Sequence, residues 1–394
     1  MSNIFRSIYH YKLALMGAIL YGFPSRAIKV IAVTGTKGKS TTLEILNAIL
    51  NEAGYKTALS STIRFKIAEE NRPNLHKMTM PGRFFLQKFL RQAVTAKCQY
   101  ALIEMTSEGV KQFRHKFIDL DGLIFTNLAP EHIESHGSYQ KYLGAKLEIV
   151  RSLEKSSKFE KILVVNGDDK EAEKFLAFDI EQKIKFRLAD WPNWNLETNL
   201  PGDFNKYNIL AAATLANSLN INEEVIRVAV AKIKTIPGRM ERAQNIIVDY
   251  AHTPDSLRQV YETCRRELAE INRHGKLICV LGGTGGGRDQ WKRKVLGEIA
   301  ERYCDQIILT DEDPYDEDPL QIIQAVASGI KSRKSEIILD RKKAIQKALA
   351  SSNPKDLIII TGKGTDPFIM GPHGAKTPWS DMKVVEEELA KIKK

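Results

Sequence analysis

Short apolar runs, each closed by a polar or glycine-rich turn and followed by apolar residues at helical spacing, recur along most of the chain. "KVIAVT", "KTALSS", "YALIEM", "GLIFTN" and "KILVVN" read as buried strands with helices between them. A second series starts at "NIIVDY" and continues through "KLICVLG", "QIILTD", "EIILD" and "LIIITG", again alternating with helices. Strand–helix alternation of this kind predicts an α/β fold with parallel sheets and active-site residues at the strand ends. The join falls at "KTIPGRM", where Pro237 and Gly238 stop a helix. The pattern therefore divides the chain into an N-terminal segment (1–26), a larger α/β domain (27–236) and a smaller Rossmann-like α/β domain (237–394).

The N-terminal segment, "IFRSIYHYKLALMGAILYGFPSR", has a different pattern. Its longest apolar run, "LALMGAILYGF", is 11 residues, against the ~20 needed to span a bilayer, and no small-residue cleavage site follows it. Two readings stand: a helix packed on the next domain, or contact with a membrane surface through residues 1–24.

Composition narrows the class. With 394 residues, 43% hydrophobic and 27% charged, the chain is long enough for two cores. Its four cysteines are scattered without a CxxC pair, which argues against zinc or a disulfide framework and suits a cytoplasmic protein. The net charge of +11 admits nucleic acid or an anionic small substrate. Because no basic stripe interleaved with aromatics is present, nucleic acid is not expected.

The candidate chemistry starts at "VTGTKGKSTT", between the strand "KVIAVT" and the helix "TLEILNAILNEAG". Strand, glycine-rich turn and helix in that order direct backbone N–H groups and a helix N-terminus at an anion. Gly35, Thr36, Lys37, Gly38 and Thr41 form the cradle, Lys39 reaches the outer phosphates, and the Ser40 hydroxyl ligates Mg²⁺. Val33 stands where the usual P-loop has its first glycine. Glu104 ends an apolar strand, an unexpected place for a carboxylate without a partner, and "TNLAPEHIESHGSYQKYLGAK" follows another strand with His132, His136 and Lys146. A histidine there is either a structural residue or a ligand.

These motifs resemble the Mur ligases, and most closely the UDP-N-acetylmuramoyl-tripeptide synthetases among them. The family's "GTxGKTT" is "GTKGKSTT" here, and its "TNxxxDHxDxH…YxxAK" is "TNLAPEHIESHGSYQKYLGAK". "EMTS", "PGDFNKYNILAAA", "PGRME", "VDYAHTPDSL" and "GGGRDQWKR" follow in the family's order, so the resemblance covers about residues 25–394. It implies a P-loop ATPase domain and a C-terminal amino-acid-binding domain. The implied reaction is ATP-dependent amide formation, with an acyl phosphate on a peptide carboxylate attacked by an amine, in peptidoglycan precursor synthesis. It also implies a second Mg²⁺ held by Glu104, His132 and a carbamylated Lys146. Asn205 and Asn208, one helical turn apart, would meet adenine, unless Asn205 caps its helix. Asp249, His252 and Arg239 would meet ribose or phosphate, with ATP held between the domains.

Departures from the pattern concern the acceptor and the amino acid. The family carries a uridine-nucleotide domain before the P-loop domain, whereas here the P-loop strand begins at Lys29, so a different grip on the acceptor is expected. In "TSEGVKQFR", Glu108 replaces a histidine, while Ser107 and Arg114 remain for a muramoyl-peptide-like acceptor. The family's "DNPR" loop, which holds diaminopimelate, is "TDEDPYDEDP": Asp313 matches, but Tyr315 stands in place of the arginine. Asp311, Glu312, Asp313, Asp316 and Glu317, with Asp366 after Gly362 in "GKGTD", would favour lysine or ornithine, and Arg288 would hold the α-carboxylate. The alternative is a solvated acidic turn. The chain is expected to act as a monomer. Two other functions stay open, a folylpoly-γ-glutamate synthetase-like ligase and a non-catalytic ATP-binding subunit.

Overall fold

Strand β1 (Lys29–Thr34) runs through the middle of an eight-stranded sheet and delivers the glycine-rich turn to its C-terminal edge. The computed structural model describes residues 3–131, 133–270, 275–287, 289–331 and 335–392; His132 and Arg288 lie outside them. The other strands of this sheet are β2 (Thr57–Ser60), β3 (Arg64–Ile67), β4 (Glu70–Pro73), β5 (Tyr100–Glu104), β6 (Gly122–Phe125), β7 (Ile162–Asn166) and β8 (Gln182–Phe186). Their order is β4-β3-β2-β5-β1-β6-β7-β8. From β2 to β8 all neighbours are parallel, while β3 and β4 extend the sheet as antiparallel edge strands. Every residue of β5, β6 and β7 is buried, because helices cover both faces of a parallel sheet. The pairing Val33↔Glu104 brings the Glu104 carboxylate beside the start of the glycine-rich turn.

After that turn, helix Lys39–Glu52 buries most of its length, including Leu43, Ile45, Leu46, Ile49 and Leu50. It stops at Gly54, whose φ of 84° closes the helix end in the left-handed conformation. The N-terminal helix, Asn3–Leu20, packs on helix Arg83–Thr95 in the same unit. Among the described residues no helix is long and apolar enough to cross a membrane.

The second sheet contains β9 (Glu241–Ala243), β10 (Ile246–Asp249), β11 (Leu277–Leu281), β12 (Gln306–Leu309), β13 (Ser335–Ile337) and β14 (Leu357–Thr361). The order is β13-β12-β11-β14-β10-β9, parallel except for β9. Ile358, Ile359 and Ile360 in β14 are fully buried, and each contributes about 1.5–3 kcal/mol relative to exposure. A hairpin of β15 (Phe368–Met370) and β16 (Lys376–Pro378) follows. The chain divides into two units, Met1–Asn199 with Asp203–Lys234, and Leu200–Gly202 with Thr235–Lys394.

One expectation from the cysteines is corrected here. Cys279 in β11 and Cys304 at the end of helix Trp291–Tyr303 form a disulfide, with Cα atoms 6.0 Å apart. They are 25 residues apart in sequence, and the helix between them folds back along the strand to bring them together. Cys98 and Cys264 are free and buried.

His115, in the turn after helix Ser107–Lys111, is 1% exposed, and neither ring nitrogen has a hydrogen-bond partner. Burial lowers its pKa from 6.5 to about 4. Its folded pKa lies below the unfolded one, so stability is intact above pH 6.5 and falls as the unfolded chain takes up a proton. The expected loss is roughly 2 kcal/mol between pH 7 and pH 5. His115→Phe should flatten that part of the curve of unfolding free energy against pH, measured by denaturant titration. An unchanged slope would mean that other groups set the acid limit.

Candidate active site

Two glycines shape the turn between β1 and the following helix: Gly35 has φ 152° and Gly38 φ 83°. A Cβ on Gly35 would collide with Thr126 Oγ1, and one on Gly38 with Asn208 Oδ1. Only glycine therefore fits this cradle. Thr126 and Asn127, just beyond the end of β6, clamp the turn from one side. Thr36 N donates to Asn127 O at 2.8 Å and Lys37 N to Asn127 Oδ1 at 2.9 Å. Asn127 Nδ2 and Thr126 Oγ1 both donate to Lys37 O, at 3.0 and 2.6 Å. Thr36 Oγ1 meets the Tyr142 hydroxyl at 2.9 Å.

The cations of the turn separate by role. Lys37 pairs with Glu131 at 3.0 Å. Lys39, the first residue of its helix, arches back over the turn and donates to Gly35 O at 3.1 Å and Thr36 O at 2.9 Å. Ser40 Oγ donates to Glu104 Oε2 at 2.8 Å. Thr62 adds two donors to the same oxygen, its N at 2.8 Å and its hydroxyl at 3.0 Å. Thr41 is buried in the first turn of the helix. Asn205 and Asn208 lie inside helix Asp203–Ser218, both buried, with Asn208 Nδ2 donating to Asn205 Oδ1 at 3.2 Å. Asn205 is the third residue of that helix, so it does not cap it. Asn208 Oδ1 accepts from Thr42 at 3.4 Å, directly beneath the turn.

Lys146 projects from helix Tyr139–Glu154 into the same region and is 2% exposed. Its Nζ donates to Gly35 O at 2.7 Å and lies 5.0 Å from the centre of the Tyr142 ring. Among the described residues no carboxylate lies within ion-pair distance of it. Burial, reinforced by the charge of Lys39, holds its pKa well below the ordinary lysine value. The described residues contain no group of three His, Cys, Asp or Glu side chains able to hold a metal. The oxygen donors present, Ser40 and Glu104, suit a hard cation such as Mg²⁺.

The residues expected at the acceptor sit close by. Ser107 opens helix Ser107–Lys111, which is capped by Thr106 accepting from Gly109 N. His136 Nε2 lies 3.1 Å from Ser107 Oγ and 3.1 Å from Glu108 Oε1. Glu108 also accepts from Ser135 Oγ at 2.6 Å. Arg114 turns inward, donating to the Met80 carbonyl and, at 2.6 Å, to Gln112 Oε1. Burial lowers its pKa.

In the second unit, Asp249 ends β10, accepting from Met240 N and Ala251 N at 2.7 Å each. The Arg239 guanidinium lies 4.5 Å above the Tyr250 ring, and the His252 ring packs against the same tyrosine at 4.7 Å. The acidic loop differs from the sequence expectation, because two buried cations fold in beneath it. Lys363, 0% exposed at its side chain, donates to Asp313 at 2.9 Å and to Asp366 at 3.2 Å. Arg293 pairs with Glu317 at 2.7 Å. Burial raises the pKa of Asp311 and of Glu312, and Asp316 points to solvent. Gly362, at φ 107°, has no room for a Cβ beside the Glu312 carboxylate. Tyr315 N donates to Met370 O at 2.9 Å.

Family models match both units: the Mur ligase middle domain over residues 33–190 and the Mur ligase, glutamate ligase domain over 238–364. The UDP-N-acetylmuramoyl-L-alanyl-D-glutamate–2,6-diaminopimelate ligase of Syntrophomonas wolfei is 36% identical over 388 residues, 90% of this chain and 77% of that protein. The chain belongs to the Mur ligase family. Among solved structures, a ligase of that same description aligns with TM-score 0.61 and 26% identity over 93% of this chain and 79% of its own. A Mycobacterium tuberculosis folylpolyglutamate synthase complexed with ADP aligns with TM-score 0.69 and 14% identity over 92% of this chain and 97% of its own, a likeness of fold.

For a Mur ligase, an ATP-dependent amide-forming enzyme, the sequence marks Lys39, Ser40, Glu104 and Lys146, and the fold brings them around one turn. It does not single out Thr62, which fixes Glu104 from 42 residues away, and it carries Tyr142, Tyr250, Lys363 and Arg293 within longer motifs without giving them a role of their own. Asn127 carried a signal, as a polar residue just past a buried strand end.

Proposed function

We propose that this Mur ligase joins a free amino acid to the carboxylate of a muramoyl-peptide-like acceptor, forming ADP and phosphate through an acyl phosphate, in peptidoglycan precursor synthesis. The observation that carries the reading is the convergence of Lys39, Ser40, Glu104 and a fully buried Lys146 on the glycine-rich turn. Amides of the turn and the Lys39 ammonium face the phosphates and offset the charge that spreads over the transferring phosphoryl group. Ser40 and Glu104 would hold one Mg²⁺, which would supply positive charge against the phosphoryl oxygens and lower their repulsion with the acceptor carboxylate. The donors from Ser40 and Thr62 all reach Glu104 Oε2, so Oε1 is the oxygen presented to a cation. In the first unit Asn205 and Asn208 would take adenine, and Ser107 and Arg114 the acceptor; in the second, Asp249, Arg239 and His252 would take ribose or phosphate.

Lys146 would be carbamylated. Burial lowers its pKa and so favours the neutral amine, the form that is a nucleophile. The nitrogen adds to the carbon of CO₂, an N–C bond forms, and the displaced proton passes to water. The resulting group, of charge −1, would stand beside Glu104 as the second carboxylate-like ligand of a second Mg²⁺.

For the incoming amino acid, the loop around Tyr315 still carries more acid than base. Among the described residues, Asp311, Glu312 and Asp316 have no lysine or arginine within ion-pair distance. Burial disfavours the charge of the first two, so the exposed Asp316 carries most of the attraction, and no arginine occupies the Tyr315 position to pair with a distal carboxylate. Lysine or ornithine should therefore show at least about a tenfold higher kcat/KM than meso-diaminopimelate, an energy difference of ~1.4 kcal/mol. The relatives' names favour diaminopimelate, and a preference for it would refute the charge reading. The function itself is tested by phosphate release with a panel of acceptors: UDP-muramoyl dipeptide, a lipid-linked muramoyl peptide and folate. Release dependent on a muramoyl peptide is expected. Release with folate and glutamate would favour the folylpolyglutamate-type reaction, and none at all a non-catalytic subunit.

A further inference from the structure

The N-terminal helix, Asn3–Leu20, has one face turned away from the rest of its unit. Ala14, Gly17 and Ala18 are buried against helix Arg83–Thr95, where Gly17 leaves room for Phe84 at 3.6 Å from a would-be Cβ. On the opposite side, Phe5, Ile8, Tyr9, Met16, Ile19 and Leu20 recur at helical spacing and are 47–68% exposed. Beside this stripe runs a groove of about 470 Å³, lined by Ser7, Ile8, Tyr11, Lys12, Leu15 and Phe113. Single exposed apolar residues are ordinary, but an aligned stripe of six marks a contact surface.

Charge identifies the partner. The sequences of the two packed helices carry Arg6, Lys12, Arg83, Lys88 and Arg91 and no acidic residue, and the first acid in the whole chain is Glu44. Lys12, exposed and four residues from both Ile8 and Met16, lies on the stripe itself, so a second copy of the same face would set like charges together with no acid on either helix to answer them. An anionic lipid surface offers both the counter-charge and an apolar layer for the stripe. We propose that this helix lies flat on an anionic bilayer, with Phe5, Ile8, Met16 and Ile19 inserted at the headgroup boundary. The site is distinct from the phosphate-binding turn and is independent of which acceptor the enzyme uses.

The test is co-sedimentation of the full chain with vesicles of phosphatidylcholine alone or mixed with phosphatidylglycerol. Wild type should partition at least about tenfold more strongly onto the mixed vesicles, and less so as salt rises. The triple substitution Ile8→Glu, Met16→Glu and Ile19→Glu, and separately Lys12→Glu, should each reduce binding several-fold. ATP turnover without vesicles should be unchanged in both variants, which shows that they fold. Equal sedimentation with both vesicle types, or variants that bind like wild type, would overturn the proposal. So would a wild-type dimer in light scattering that the triple variant dissolves, since that would make the face an interface between copies.

Discussion

Lys39→Ala is expected to lower ATP-dependent phosphate release by at least about a hundredfold, the scale on which removing one preorganised charge from a transfer site acts. The hydrogen bonds described above for this side chain go to backbone carbonyls of its own turn, Gly35 O and Thr36 O. Its loss therefore opens no core cavity, and helix Lys39–Glu52 keeps its buried apolar face. Thermal unfolding should shift by no more than a few degrees while turnover collapses. Steady-state kinetics beside a melting curve measures both. If the variant retains most of its activity, the role given to Lys39 is wrong.

Lys146→Ala is expected to cost a similar factor for a different reason. The buried amine is held far from its ordinary pKa chiefly by desolvation, and a carbamate there would supply the negative charge that Glu104 alone lacks. Added formate or acetate should restore part of the activity by entering the space the side chain leaves. Lys146→Met fills that space and should be as inactive, without rescue. The sign for stability is opposite to the sign for activity. An uncarbamylated lysine with a lowered folded pKa costs stability below its unfolded pKa of 10.5, so neutral Met should melt at the same temperature or higher at pH 7. Near wild-type turnover in the Ala variant would remove Lys146 from the mechanism.

Most strands legible in the sequence are those covered on both faces; the exception is β13, read from "EIILD" although it is a largely exposed edge strand. β1, β5, β6 and β7 in the first unit, and β10, β11, β12 and β14 in the second, are continuous apolar runs because parallel strands under two layers of helices need them. β3, β4 and β8 escape notice because they lie at or near the sheet edges. "ENRP" in β4 is exposed throughout, and "QKIKF" in β8 buries only Phe186. The same divide holds at the site. Lys39 and Ser40 are fixed by local chain geometry and can be read from spacing. Thr62 and Tyr142 act through tertiary contacts to Glu104 and Thr36; nothing near Thr62 marks it, and Tyr142, though it opens the "YxxAK" pattern, has a role that only the fold shows. Lys363 shows what sequence charge counting loses: one buried cation answers both Asp313 and Asp366 across 50 and 3 residues.

The most direct test of an acyl-phosphate ligase is to label the acceptor's reacting carboxylate with ¹⁸O and follow the label through one turnover with ATP and the amino acid. Transfer of the γ-phosphoryl to that carboxylate, followed by amine attack, leaves one acceptor oxygen on the phosphate released beside ADP. Mass spectrometry of inorganic phosphate should therefore find one ¹⁸O per amide formed. Amide formation with unlabelled phosphate, or with the label in AMP, would contradict the mechanism.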